Sequence, residues 1–569
     1  MADIQTAGSL IEPSFAEALA AIKAAKDLKE DKRRHRMCSL RIIAKGLGKP
    51  PELVPARWTA VRIPISRLHH TQMGVAEKTL ANHKGNVRSA LSWFANDEHV
   101  PLRGAPLTLD WSKLKQGISH YRTSANLSSL MRYCSARDIA PQHVDETVLD
   151  ALMAYRENTT ALATDAAARR KIARAWNRCI GVVPGWPSLR LIEPPLKSAL
   201  SGPTFEEFPA GLRKDIETYL IGLSQVRRTA GGRRRAPCKS STINVRRAKL
   251  EALVRKAVKV GAPIGSLESF RQLFDPALVE RVFDAYWPKS SAPPSIYLIE
   301  LAALVVSIAR QMRCIDETAI NRLDDMRAVL EGYRQDGLTP KNMALIRAIL
   351  SSDVWRRVVS LPWQLMQEAD ALRDRAPVKA AVLAQIAVAI GILSVFPIRL
   401  GNLGNIQIGE NLIRPGGPDT PYWLVFSQYD VKNRIRLETV FDSELTALID
   451  NYIYKHFCVL QRGRNEPWLF PGLREGNKGL ATLSSQITKH IHAATGLRVT
   501  VHQFRHAAAA LILKAKPGNY EYVRRILAHR NIQTTIKFYV GLETAQATQD
   551  FGDIIRRQLR FDPNVTWAK

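Results

Sequence analysis

Apolar residues recur at helical spacing through most of the chain. In "EKTLANHKGNVRSALSWF", residues 77–94, Leu80, Val87, Leu91 and Phe94 fall on one stripe, with Lys78, Lys84 and Arg88 largely off it. That spacing predicts an amphipathic helix. "SSTINVRRAKLEALVRKA", residues 240–257, repeats the pattern with Ile243, Leu250, Leu253 and Val254. In each stretch a threonine, Thr79 or Thr242, stands ahead of the stripe as a predicted cap. Two copies of a small helical DNA-binding module would explain the echo. "AAVLAQIAVAIGILSVF", residues 380–396, is apolar all round, short for a membrane span, contains Gln385 and is flanked by Lys379 and Arg399. It predicts a helix buried inside a large domain. Between 406 and 441 the pattern changes to short strands: "YWLVFSQ" and "RIRLETVF" flank "YDVKN", a predicted hairpin. Helical spacing then resumes to the end.

Two breaks interrupt the pattern. "VVPGWPSLRLIEPPLKSALSGPTFEEFP", residues 182–209, is dense in proline and glycine and predicts a linker, and "GYRQDGLTPKN", 332–342, predicts a hinge. A chain of 569 residues exceeds one hydrophobic core. The expected division is an N-terminal helical, basic arm over 1–60, a helical domain over 61–195, a second helical domain over 205–332, and a mostly helical domain with one small sheet over 338–569. The fold class is mainly α and multidomain.

Charge narrows the partner. The formal net charge is +30 and the pI about 10.1, with Lys and Arg spread along the whole chain. Such a surface calls for a polyanion. The densest basic stretch, "QVRRTAGGRRRAPCKSS", places Arg227, Arg228, Arg233, Arg234, Arg235 and Lys239 on a glycine-containing loop, with Arg246 and Arg247 in the helix that follows. These eight are the candidate DNA-backbone contacts. "KDLKEDKRRHR" near the N-terminus reads as a solvated helix, with a DNA-backbone arm as the alternative. The six cysteines are isolated and form no C-x-x-C pair, which excludes a zinc ribbon or a disulfide framework and fits a reducing compartment. The first residues, "MADIQTAGSLIEPSF", predict no signal peptide. A cytoplasmic, nucleoid-associated protein with no membrane partner is the expectation.

The chemistry concentrates in "TVHQFRHAAAALIL", residues 500–513, where His502, Arg505 and His506 share one helix face. His502 and His506 have the spacing of a zinc-binding helix. Such helices carry a glutamate after the first histidine to activate the metal-bound water, and here that position is Gln503. A neutral amide cannot act as a base, and Arg505 would repel a dication. His502 with Arg505, a pair suited to phosphate, survives; His506 is expected to be a neighbour of the site without a chemical role. Companions lie elsewhere: Arg399 in "FPIRLGNLGNI", Lys432 at the predicted hairpin tip, His529 in "RRILAHRNIQTTIKFYVG" and Tyr539 ten residues beyond it.

Arg399, Lys432, the His502–Arg505 motif, His529 and Tyr539 together, in this order and spacing, resemble the catalytic set of the tyrosine recombinase, or phage integrase, family. The resemblance covers roughly residues 340–560. Three departures stand out: Ala528 occupies the usual glycine position, at little expected cost; the interval from His529 to Tyr539 is one residue longer than the commonest family spacing; and Asn402 stands where an acidic residue often buttresses the first arginine.

The resemblance implies an enzyme that cleaves and rejoins DNA strands through a covalent 3′-phosphotyrosine. Tyr539 would be the nucleophile, Arg399 and Arg505 would clamp the phosphate, and Lys432 would protonate the 5′ oxygen. His502 would assist proton transfer, and His529 would donate a hydrogen bond to the phosphate. No metal or cofactor is implied. Residues 205–332 resemble the family's core-binding domain, which with the catalytic domain would clamp duplex DNA. The implied assembly is a homotetramer, or a hetero-tetramer with related recombinases, on synapsed DNA. The expected function is site-specific recombination for integration or excision of a mobile element. A type IB topoisomerase-like nicking-closing enzyme and an inactive architectural DNA-binding protein are the alternatives; a histidine at 502, where topoisomerases carry a lysine, favours the recombinase.

Overall fold

The computed structural model describes residues 12–95, 106–195, 202–228, 232–288, 292–335, 337–351, 353–431, 433–540 and 544–560. The fold is mainly helical, and among the described residues the strands form one two-stranded and one three-stranded sheet. The chain divides into two compact units, one built from residues 1–100, 158–161 and 336–569, the other from 101–157 and 162–335.

In the first unit, α1 (Phe15–Ala24), α2 (Glu30–Gly46), α3 (Trp58–Arg67) and α4 (Glu77–Phe94) share one apolar cluster running from Phe15 to Leu91. A reciprocal capping box, Ser14 with Glu17, satisfies orphan amides at the start of α1. The core boundary expected at residue 60 is not there. Val61 and Ile65 of α3 and Leu80, Val87 and Leu91 of α4 bury in the same cluster as Phe15, Ile22, Leu40 and Ile43, so residues 15–94 form one bundle. The predicted threonine caps also fall elsewhere: α4 begins after Ala76, which leaves Thr79 inside the helix.

The second unit holds two helical clusters. In the first, α5 (Leu109–Gln116), α6 (Tyr121–Ser135), α7 (Glu146–Thr159) and α8 (Ala166–Asn177) surround Trp111, Trp176 and Trp186. Part of the expected linker belongs to this core. Trp186 and Leu191 are buried in it, and the Trp176 indole donates to the Leu189 carbonyl at 2.8 Å. The second cluster is built by α9 (Ala210–Ser224), α10 (Ser240–Lys259), α11 (Phe270–Leu273), α12 (Pro276–Tyr286), α13 (Ile296–Met312) and α14 (Glu317–Gly332). Helix α10 starts after Lys239, so Thr242 is internal to it. The basic stretch between α9 and α10 is not the expected loop but an antiparallel ribbon, β1 (Arg227–Arg228) with β2 (Arg234–Arg235).

The C-terminal part of the first unit contains α15 (Pro340–Ser351), α16 (Val354–Leu372), α17 (Pro377–Val395), α18 (Leu400–Gly404), β3 (Leu412–Ile413), β4 (Trp423–Phe426), β5 (Leu437–Val440), α19 (Ser443–Lys455), α20 (Phe457–Gln461), α21 (Leu480–Thr495), α22 (Val501–Ala515), α23 (Tyr520–Ile526), α24 (Ile532–Tyr539) and α25 (Thr544–Arg560). The expected buried helix is α17. It is long and apolar enough to cross a membrane, but α16, α19, α20 and α21 cover it, and every residue from Leu383 to Leu393 is buried. A helix apolar all round is the kind a large core requires. The expected hairpin is β4–β5, with β3 on its outer edge in the order β3-β4-β5. Around this core the three segments that carry the candidate site converge: the end of α17, the start of α22 and the turn between α23 and α24.

Candidate active site

Helix α22 is fixed at its start by a second capping box. The Thr500 amide and hydroxyl both donate to Gln503 Oε1, at 2.8 and 3.1 Å, and Gln503 Nε2 donates to Asn342 of α15 at 3.1 Å. Gln503 therefore starts and anchors the helix. The position that a zinc protease gives to its catalytic glutamate is structural here.

One turn on, Arg505 is buried at 4 % exposure. Its Nη1 donates to the Pro397 carbonyl at 2.8 Å and its Nη2 to the Leu527 carbonyl. Pro397 belongs to the segment that ends α17, and Leu527 to the turn after α23. One guanidinium thus ties the "FPIR" and "LAH" segments to α22. Burial, then the charge of Arg399, pushes the Arg505 pKa down to about 10, which leaves it protonated at neutral pH.

Arg399 is half-buried at the start of α18. Burial lowers its pKa. Among the described residues it has no ion pair or side-chain hydrogen bond, and Asn402, at the often acidic position, is buried at 7 % exposure. Two guanidinium groups therefore lie within electrostatic reach of each other and, among the described residues, neither pairs with a carboxylate. Such groups are satisfied best by an incoming anion with paired oxygens.

Three histidines surround them. His502 is exposed, and desolvation followed by Arg505 and Arg399 lowers its pKa. His529 is held through Nδ1, 2.9 Å from the Oγ1 of Thr535, a fully buried residue of α24. Desolvation, Arg505 and Arg399 push His529 down to about 4, so its imidazole is neutral at pH 7. His506 is buried, 4.9 Å from His502 between ring centroids, and desolvation with the charges of His502 and Arg505 pushes it down to about 4.

Tyr539, the last residue of α24, is 3 % exposed, and its ring packs with Ala509, Leu513, Val523 and Leu527. Its hydroxyl lies 2.9 Å from His506 Nδ1. Burial pushes the phenol up to about 12. The expectation that His506 is a bystander is thus at odds with the geometry: the residue in contact with the tyrosyl oxygen is His506. The sequence carries a signal for it in the helix face that His506 shares with His502 and Arg505.

The turn between α23 and α24 puts Ala528 at φ +47°, in the left-handed region, which explains why a glycine is usual there. The carbonyl of Ala528 accepts from Asn433 Nδ2 at 2.7 Å, which fastens the β4–β5 turn to the histidine loop. Lys432, the candidate at that turn, lies outside the described residues. Among the described residues no three His, Cys, Asp or Glu side chains gather to hold a metal ion.

The candidate DNA contacts separate into two groups. Arg228, Arg233, Arg234, Arg235 and Lys239 are exposed, and the ribbon register sets Arg227 opposite Arg235 and Arg228 opposite Arg234. Like charges face to face destabilise a strand pair, so an anionic partner suits this ribbon. Arg246 and Arg247 are instead half-buried in the packing of α10 on α9. Arg246 meets the Tyr219 hydroxyl and ring, and Arg247 makes a two-point ion pair with Glu217. Arg247 has its charge countered within its own domain.

Residues 364–546 match the phage integrase family model. No curated protein matches the chain. Solved structures similar to it include the XerH site-specific recombinase bound to its difH substrate, at 12% identity over 76% of this chain and 97% of that one, with a TM-score of 0.32. A lambda integrase tetramer bound to a Holliday junction is 14% identical over 65% and 86%, with a TM-score of 0.29. XerA recombinase is 14% identical over 59% and 96%, with a TM-score of 0.24.

Proposed function

Residues 364–546 belong to the phage integrase family, and on that premise we propose that the chain is a site-specific DNA recombinase of the tyrosine type, acting in the integration or excision of a mobile element. The observation that carries this reading is Arg505 within electrostatic reach of both a second guanidinium, Arg399, and a buried tyrosine, Tyr539. The charge calls for a phosphodiester and the phenol can store it.

The reaction is a transesterification. The scissile phosphate docks its non-bridging oxygens on Arg399 and Arg505, with His529 donating a further hydrogen bond from Nε2. Tyr539 Oη forms a bond to phosphorus and the bond to the 5′ oxygen breaks. His502 assists transfer of the phenolic proton away from Tyr539, and Lys432 gives a proton to the departing 5′ oxygen. Attack by a 5′-hydroxyl from a second duplex reverses each step and completes strand exchange. The bond energy is conserved in the phosphotyrosine, so no cofactor is consumed.

Duplex DNA is the partner, held in part by the exposed arginine ribbon before α10. Phe551, Ile554 and Ile555 on α25 present an exposed apolar face suited to a neighbouring copy in a synaptic tetramer. The site of action is the cytoplasm, at the nucleoid. The test is strand exchange between two labelled duplexes carrying a sequence selected for binding from a random pool. Recombinant products are expected; relaxation of supercoiled DNA without exchange would point to a nicking-closing enzyme and contradict the recombinase reading.

A further inference from the structure

We propose that His506 positions the nucleophile: its Nδ1 accepts the hydrogen bond of the Tyr539 hydroxyl and holds the phenol at the edge of the phosphate pocket, ready for attack. This inference rests on the recombinase reading and assigns within it a residue that lies outside the six-residue catalytic set.

Tyr539 is buried at 3 % exposure, and a buried hydroxyl needs an acceptor for its proton. Among the described residues, the acceptor in reach is His506 Nδ1, at 2.9 Å. The two rings meet edge to face, 5.8 Å between centroids at 62°, and so the imidazole constrains both the oxygen and the ring plane of the tyrosine. His506 is itself fixed: it is 6 % exposed, one residue beyond Arg505, whose guanidinium is bound to two backbone carbonyls. The tyrosine is thereby indexed to the same helix that presents the phosphate-binding arginine. That link matters because α24 is joined to the site by a short turn whose Ala528 sits in a strained conformation. The hydrogen bond at the far end of α24 ties it directly to α22.

The groups facing His506 are His502, Arg505, His529 and Tyr539. All but Tyr539 are basic, so they keep the imidazole neutral and available as an acceptor. A base of pKa about 4 does not hold the proton of a phenol of pKa about 12, and in the DNA-free state His506 therefore orients Tyr539 without deprotonating it. Its work precedes the transesterification.

The experiment uses the full-length protein and a nicked suicide duplex containing the selected site, and follows both DNA affinity and the rate of covalent-complex formation. Substitution His506→Ala is expected to leave affinity within about twofold while slowing covalent capture by roughly tenfold to a hundredfold, as displacement of a reacting group by an ångström does. His506→Asn, which offers an acceptor where Nδ1 stood, is expected to recover most of the rate, whereas His506→Gln, whose acceptor reaches further, is not. If His506→Ala does not fold, the Asn and Gln variants decide by the same comparison. A wild-type rate in His506→Ala, or Asn no better than Gln, would overturn the assignment of His506 alone. A wild-type protein that forms no covalent complex would instead remove the recombinase reading, and this inference with it.

Discussion

Arg399, after burial, lowers the pKa of Arg505, yet the two arginines are held in opposite ways. Arg505 is anchored to the Pro397 and Leu527 carbonyls, whereas among the described residues the Arg399 side chain has no hydrogen bond or ion pair. In the proposed reaction both meet the phosphate, but Arg505 is also part of the scaffold.

The contrast predicts opposite effects on stability. Arg505→Ala strands two buried carbonyls, at about 1–3 kcal/mol each, and should lower the urea midpoint. Arg399→Ala removes a desolvated cation that faces another, and should leave the midpoint unchanged or raise it while abolishing cleavage. An Arg399→Ala variant less stable than Arg505→Ala would contradict this division of roles.

Stability of the DNA-free protein should fall with acidification below about pH 6.5. His506 and His529 titrate near 4 in the folded chain against an ordinary value of 6.5, so between these limits the unfolded chain binds more protons. Their contribution is fully present above 6.5 and is lost as pH falls through 4. Denaturant titrations at pH 7.5 and 5 should show the loss, and His529→Asn should shrink it. A difference between the two pH values that His529→Asn leaves intact would rule out His529 as its source.

The strained turn offers a gain. Ala528 has φ +47°, and a non-glycine residue in that region costs about 1 kcal/mol. Ala528→Gly should raise stability by about that amount with no loss of cleavage. A drop in melting temperature would show that the alanine methyl packs well enough to outweigh the backbone strain.

The ribbon should set the salt dependence of DNA binding. Replacing Arg228, Arg234 and Arg235 by alanine leaves up to three phosphates without a cation, and the slope of log K against log salt should become shallower by about 0.9 for each of them. Arg247→Ala, whose partner is Glu217, should change the slope little. Equal effects from both would contradict the separation of the two groups.

Much of the fold is legible in the sequence because it follows from local pattern. An apolar run at 380–396 can only be buried, and alternating residues around "YDVKN" mark the hairpin. The candidate site residues are legible through the family resemblance, which sets their types and their order. Domain limits are less legible. Nothing local shows that Val61 packs beside Phe15, or that Trp186, inside a proline-rich stretch, completes a core. The partners of site residues are hidden for the same reason: His506 with Tyr539, Thr535 with His529 and Gln503 with Asn342 are contacts between separate segments. A helical face tells that His506 points toward the pocket but not what it meets there.

In the proposed reaction Tyr539 carries the DNA. The direct measurement is covalent capture on a nicked suicide duplex, followed by protease digestion and mass spectrometry of the DNA-linked peptide. A 3′-phosphodiester linkage on Tyr539 is expected, formed by the wild-type chain and absent from Tyr539→Phe. A covalent complex that persists in Tyr539→Phe, or a link mapped to any other residue, would contradict it.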